Sequence, residues 1–163
     1  MPGKAKLTLD HLILGAGIVF LALQIPEEGL FNFSGWVERR GIIPNFTLTT
    51  WLLQLPYFIL ALSLAYFIYR IEPGKFLPIG LGVLVWGLLD FIGFAGLSLI
   101  SRGYVPGLLS SVLYLPMILL GMRILRRGGE ATPRLAVLSS LSGLLIMALP
   151  IAAFFGVYWA LAI

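Results

Sequence analysis

The chain has no cysteine, a single histidine and few charged residues, and each shortage excludes a class of function. Without cysteine there can be no disulfide, thiolate metal site or cysteine nucleophile. With His11 alone, a metal centre built from several histidines is excluded as well, and we expect His11 to lie at the membrane interface. The net charge of +4 is small and scattered, so no nucleic-acid partner is expected.

The same composition points to a lipid bilayer as the surroundings of the chain. Only 11% of the residues are charged, whereas a soluble domain carries about a quarter. Hydrophobic residues make up 60% of the chain, and they form runs long enough for membrane helices, which need about 20 residues each. The sequence therefore predicts an all-α integral membrane bundle, formed by residues 1–163 as one polytopic domain.

Five apolar runs predict about five transmembrane helices joined by short connections. They are residues 9–25, 47–69, 76–100, 104–125 and 135–163. Pro26 is expected to end the first helix and Pro150 to kink the last. Between the first two helices, Phe31, Phe33 and Trp36 predict a segment that lies at the membrane interface.

The distribution of lysine and arginine predicts the orientation of the chain in the cell membrane. With five spans the two termini lie on opposite sides. The N-terminal side collects Lys4, Lys6, Arg70, Lys75, Arg123, Arg126, Arg127 and Arg134, and the other side collects Arg39, Arg40 and Arg102. Because positive residues accumulate on the cytoplasmic side, we expect a cytoplasmic N-terminus and an external C-terminus.

Asp90 is the acidic residue that stands out within the predicted spans. At about 1.5 Å per residue it lies roughly 15 Å from the outer end of the third helix, well inside the hydrocarbon. A carboxyl group at that depth is expected to be protonated or to have a partner. Asp90 is therefore either a functional group or a neutral side chain that hydrogen-bonds a neighbouring helix.

Other polar residues are predicted at a similar depth in the outer half of the bundle. Gln24 precedes Glu27 and Glu28 by three and four residues, so the three share a face if the first helix continues through them. Gln54 in the second helix and the pair Ser110 and Ser111 in the fourth lie at comparable depth. Four helices can thus place polar groups at one depth of the bundle. This layer is either a functional site or a set of polar contacts that only stabilises helix packing.

The sequence resembles the HXXEE membrane protein family, which is named for a His-x-x-Glu-Glu motif at the end of its first span. The similarity covers about residues 12 to 127. It rests on five segments of the chain: Gln24 to Glu28, Trp36, the Tyr-x-Pro-Gly within Arg102 to Ser111, Leu115-Pro116, and Arg123 to Arg127.

Three histidine positions of that family are changed in this chain. The named histidine falls on Gln24, and two further family histidines fall on Asp90 and Phe94. The histidine and glutamate cluster of the family implies a divalent metal. Here Glu27, Glu28 and Asp90 are left as oxygen ligands for a hard cation, so the sequence leaves metal and cofactor unknown.

Three functions are compatible with these observations, besides a small multi-pass protein whose acidic site has no assigned role. The first is an isomerase-like or cyclase-like enzyme for a lipid-like molecule, in which Glu27 or Glu28 is the acid or base and Asp90 stabilises positive charge. Its substrate-binding residues would be Gln24, Gln54, Trp86, Phe91, Phe94, Tyr104, Ser110 and Ser111.

The second function is an ion-coupled or proton-coupled transporter with Asp90 as the intramembrane site. The cytoplasmic halves of the helices are nearly devoid of polar groups, so a homo-oligomer would have to supply the path. The third function is a structural accessory subunit, in which the polar layer only fixes helix packing. The sequence leaves the three open.

Overall fold

The computed structural model describes residues 8–43 and 45–161, and within these ranges the chain is helical, without a strand. Five helices are long and apolar enough to cross a membrane. They are Leu9–Leu30, Leu48–Ile71, Leu77–Ser101, Leu108–Gly128 and Pro133–Val157, the last within a helix that continues to Leu161. We refer to them as the first to fifth spans. The prediction of an all-α, multi-pass helical bundle is confirmed, while Lys4, Lys6 and Ile163 lie outside the described residues.

The first span continues five residues beyond the end that the sequence predicted. A proline inside a helix lacks an N–H and crowds the carbonyl four residues earlier. Here Phe20–Gln24 form a π-helical turn directly before Pro26, and the N–H of Ile25 donates to the carbonyl of Phe20. Such a wider turn accommodates the proline without breaking the helix. Glu27 and Glu28 are therefore helical and lie on the same span as Gln24.

The fourth span starts later than predicted, at Leu108 instead of residue 104. Gly107, just before it, has a φ of +99°, which favours glycine over any residue with a Cβ. A Cβ there would also lie 2.7 Å from Cζ of Phe94. The span consists of a short turn, Leu108–Ser111, and a longer helix, Tyr114–Gly128, so Tyr104 and Pro106 lie in the loop before it.

The third span lies at the centre of the bundle and contacts each of the other four. Its glycines allow close helix packing, as small residues do in membranes. A Cβ on Gly82 would lie 2.6 Å from that of Ser142 in the fifth span, and one on Gly87 would collide with the ring of Tyr114. Not every glycine of this span serves such a contact, because a Cβ on Gly93 would meet no atom within 4 Å.

The connection between the first two spans folds over the bundle. It contains a short helix, Phe33–Arg39, capped by the side chain of Asn32. Trp36 and Phe46 are buried against Phe94 and Trp51, and Phe33 is half-buried, so of the three aromatic residues predicted at the interface Trp36 packs into the bundle. Phe31 is the exposed ring of this segment. The aromatic side chains turn inward because the C-terminal end of the third span offers them an apolar surface.

At the opposite end of the bundle, the start of the first span meets the end of the second. Arg70 and Asp10 form an ion pair of 2.6 Å, and the hydroxyl of Tyr69 donates to the same carboxylate. His11 lies beside them, with its ring Nδ1 2.6 Å from the hydroxyl of Thr8 in an exposed helix cap. These polar contacts mark the end of the bundle at which the first span begins.

Candidate functional site

Gln24 connects two carboxyl groups from different spans, that of Glu28 in the first and that of Asp90 in the third. Its amide nitrogen donates to Oε1 of Glu28 at 3.0 Å and to Oδ2 of Asp90 at 2.8 Å. Its amide oxygen accepts from the hydroxyl of Tyr114 at 2.9 Å. Both amide hydrogens and the oxygen are thus used, so Tyr114 orients the amide with its nitrogen toward the two carboxyl groups.

Glu28 is almost completely buried and is bonded on both oxygens. Its exposed fraction is 6%, and its second oxygen, Oε2, accepts from the indole N–H of Trp51 at 2.8 Å. Glu28 follows Gln24 by four residues on the continuous helix, which places both on one face. The π turn that carries the first span past Pro26 is therefore what brings Glu28 to this position.

Beside this network lies a cavity of about 310 Å³, which is at the lower end of the size of small-molecule sites. Four polar side chains line it, those of Gln24, Glu28, Gln54 and Asp90. The rest of the wall is apolar and largely aromatic. Its rings are those of Phe20, Phe33, Phe46, Phe58, Trp86, Phe94 and Phe155. An apolar cavity with a few convergent polar groups is typical of a ligand-binding site.

Trp86, one of the residues that line this cavity, has an unused hydrogen-bond donor. The residue is 1% exposed, and its indole N–H has no partner among the described residues. The ring packs edge to face with Phe20 and with Tyr114. A buried donor without a partner costs free energy, and an acceptor on a ligand in the cavity would satisfy it.

Glu27 lies apart from the cavity, although it adjoins Glu28 in sequence. Its carboxylate accepts from the hydroxyl of Tyr104 at 2.5 Å and from the backbone N–H groups of Gly107, Leu109 and Ser110 at 2.7–3.0 Å. It thereby caps the start of the fourth span, where backbone N–H groups are otherwise unpaired. The hydrogen bonds thus place Glu27 in a structural position.

Tyr104, in the loop before the fourth span, belongs to this cap. Burial raises the pKa of its hydroxyl, and the hydrogen bond to Glu27 and the negative charge of that residue raise it further. The phenol therefore keeps its proton and acts as a donor to Glu27. It does not line the cavity.

The remaining predicted residues, apart from Phe91, lie at the cavity or at the start of the fourth span. Gln54, Trp86 and Phe94 line the cavity, and Phe91 does not. Ser110 and Ser111 donate through their hydroxyls to the carbonyls of Gly107 and Leu108. Their hydroxyls are therefore satisfied at the start of the fourth span.

Two residues of the network were not predicted. Trp51 and Tyr114 each donate to a member of it, and each is a single aromatic residue in an apolar run. In sequence they are indistinguishable from the other aromatic residues of the spans. The one signal in the sequence was that a buried indole or phenol needs a hydrogen-bond partner, which predicts that a partner exists without identifying it.

The network is poorly suited to a metal ion. The described residues contain no group of three histidine, cysteine, aspartate or glutamate side chains able to hold one. The two carboxyl groups converge on the nitrogen of Gln24, which is a donor, whereas a cation requires acceptors at that point. A divalent metal of the kind that the resembling family implies does not fit this arrangement.

Comparison of the chain with protein-family models, with curated proteins and with solved structures gives no match.

Proposed function

We propose that the protein is a membrane enzyme that applies acid–base chemistry to an apolar, lipid-like substrate held in the cavity. The observation that carries this proposal is that one amide joins Glu28 and Asp90 at the wall of an aromatic cavity. We further propose that it lies in the cell membrane with a cytoplasmic N-terminus. We also propose that the chain belongs to the HXXEE family, because Gln24, Glu27 and Glu28 lie near the end of the first span, as the motif of that family does.

The two carboxyl groups favour a state in which they hold one proton between them. Ion pairs among the described residues are Asp10 with Arg70 and Glu72 with Lys75, and neither is at the cavity. Two unpaired negative charges at membrane depth would be costly, and like charges near each other disfavour double ionisation. One proton on the pair removes most of that cost.

The hydrogen bonds indicate which residue carries the proton. Both oxygens of Glu28 accept from N–H groups, so its ionised form is well solvated by Gln24 and Trp51. Asp90 accepts through Oδ2 from Gln24, and its Oδ1 has no partner among the described residues. We therefore assign Asp90 as the acid and Glu28 as the ionised group, which reverses the roles that the sequence suggested.

An acid in such a cavity suits the isomerisation or cyclisation of an alkene. The proton on Asp90 forms a new C–H bond as the carbon–carbon π bond breaks, which leaves a carbocation. The negative charge of Glu28 and the faces of the surrounding rings stabilise that positive charge. Loss of a neighbouring C–H proton to the Asp90 carboxylate forms the shifted double bond and restores the acid.

Trp86 narrows the class of substrate. Trp86 lines the cavity and its buried indole N–H has no partner among the described residues, which favours a molecule that carries an acceptor oxygen in addition to its apolar body. A long-chain or polycyclic alcohol with a double bond meets both requirements. The apolar part would contact the aromatic wall, and the oxygen would accept from Trp86.

Transport is less well supported by the geometry than catalysis. Below the network, toward the N-terminal end of the bundle, the buried core of the described residues is mostly apolar, with Phe20, Trp86 and Tyr114 packed ring against ring and Ser139 as a buried polar side chain. A proton or ion passing through would need polar groups or water along that path. The geometry therefore favours a site that opens to one half of the membrane.

Incorporation of deuterium from solvent tests the proposal. Protein reconstituted into vesicles of a total membrane lipid extract is incubated in D₂O, and mass spectrometry measures deuterium in the alkene-containing alcohols. We expect incorporation that Asp90→Asn lowers by about 10²-fold or more, the usual contribution of a general acid. The control Glu38→Gln alters an exposed carboxyl group and should keep the wild-type rate. Equal incorporation by wild type and Asp90→Asn would contradict the proposal.

A further inference from the structure

A second, larger groove lies at the opposite end of the bundle, where most of the arginines are. It has a volume of about 440 Å³ and runs between the third, fourth and fifth spans. Its apolar walls include Leu81, Leu84, Val85, Ile118, Met122 and Leu125. It shares no lining residue with the cavity beside Asp90, so it is a separate site.

Arg126 lines the mouth of this groove and brings a positive charge to it. The described residues form two ion pairs, and Arg126 takes part in neither. The start of the fifth span, at Pro133, lies at the same mouth. The partial positive charge of a helix start adds to the attraction for an anion, although the N–H groups of Leu135 and Ala136 are already bonded to Thr132.

Ser139 supplies an independent indication of a ligand. The residue lines the groove and is 4% exposed, and its buried hydroxyl has no hydrogen-bond partner among the described residues. Ser139 lies six helical steps after Pro133, which places it about 9 Å deeper along the span. A buried hydroxyl at this depth calls for an acceptor from outside the described chain.

We propose that this groove binds an anionic glycerophospholipid of the surrounding leaflet. With increasing depth, the groove presents the positive charge of Arg126, the hydroxyl of Ser139 and then its apolar wall. This order matches the phosphate, the ester and the acyl chain of such a lipid. The phosphate would lie at Arg126 and the start of the fifth span, the acyl ester carbonyl would accept from Ser139, and the acyl chain would pack along Leu84 and Ile118. Basic pockets between membrane helices recognise anionic headgroups in this way.

Native mass spectrometry of the full chain, titrated with single lipids, tests the proposal. The probes are phosphatidylglycerol and phosphatidylcholine with the same acyl chains. We expect wild type to bind phosphatidylglycerol about fivefold more tightly, since one basic residue near the membrane surface contributes about 1 kcal/mol. Arg126→Gln should remove this preference, whereas Arg127→Gln, which changes the net charge equally outside the groove, should keep it.

Two further variants test the depth of the site. Ala136→Trp places a bulky ring on an exposed position that lines the groove and should weaken both lipids. Ser139→Ala should weaken both by a similar factor, because the ester is common to them. The proposal is overturned if wild type shows no preference, if Arg127→Gln loses the preference as Arg126→Gln does, or if Ala136→Trp binds both lipids as well as wild type.

Discussion

At the scale of single residues, adjacent glutamates in one helical turn have different surroundings. Glu27 accepts hydrogen bonds from one phenol and from three backbone N–H groups at and just before the start of the fourth span, and it lies outside the cavity. Glu28 is bonded to Gln24 and Trp51 and lines the cavity. Consecutive residues on a helix point about 100° apart, so this divergence follows directly from the continuation of the first span.

The matched pair of variants Glu27→Gln and Glu28→Gln separates these two roles. Glu27→Gln replaces a charged acceptor at a helix start and should lower the free energy of unfolding by about 1–2 kcal/mol, with deuterium incorporation retained. Glu28→Gln removes the charge beside the reacting centre and should lower incorporation by about tenfold or more. Thermal unfolding in detergent and the deuterium measurement are made on both. An equal loss of incorporation in the two variants would contradict the assignment.

At the scale of helices, the position of the site depends on how closely the third span packs on its neighbours. Gly82 in the third span and Gly143 in the fifth lie against each other, and a Cβ on Gly143 would lie 3.0 Å from the carbonyl oxygen of Gly82. Without a hydrophobic driving force in lipid, such backbone contacts carry much of the association. They hold the span that carries Asp90 in its place.

Gly82→Ala and Gly93→Ala make a matched test of this packing. At Gly82 the new methyl group meets the Cβ of Ser142 at 2.6 Å, and such overpacking typically costs about 1–3 kcal/mol. At Gly93 nothing lies within 4 Å, so the change should be neutral or raise stability by up to about 1 kcal/mol, because alanine favours the helix. Thermal unfolding of the two variants in the same detergent gives the comparison. Similar melting temperatures for both would show that this contact does not hold the spans together.

At the scale of the whole molecule, composition and hydrophobic runs predicted the five-helix architecture well, because a span is specified by the local run of residues. Two predicted helix limits, the end of the first span and the start of the fourth, were wrong because they depend on more than the hydrophobicity of the run. The first span passes Pro26 through a π turn, and the fourth begins late because the loop through Gly107 folds onto Glu27. Sequence indicated Gln24, Glu28 and Asp90 by their polarity at depth, but their convergence depends on the packing of the first span on the third.

The orientation in the membrane stays a prediction, and the lack of cysteine makes it readily testable. Glu38→Cys and Glu130→Cys place single thiols at exposed positions near opposite ends of the bundle. With the N-terminus in the cytoplasm, a membrane-impermeant maleimide should label Glu38→Cys in intact cells and Glu130→Cys only after permeabilisation. The cysteine-free wild type is the control. The reverse pattern would invert the proposed topology.

The proposed chemistry requires that Asp90 holds a proton beside an ionised Glu28. Infrared spectroscopy of the purified protein at about pH 7 tests this directly through the carbonyl stretch of a protonated carboxylic acid, which shifts in D₂O. We expect such a band in wild type and in Glu27→Gln, and its loss in Asp90→Asn. Absence of the band from wild type, or its persistence in Asp90→Asn, would contradict the assignment of the acid.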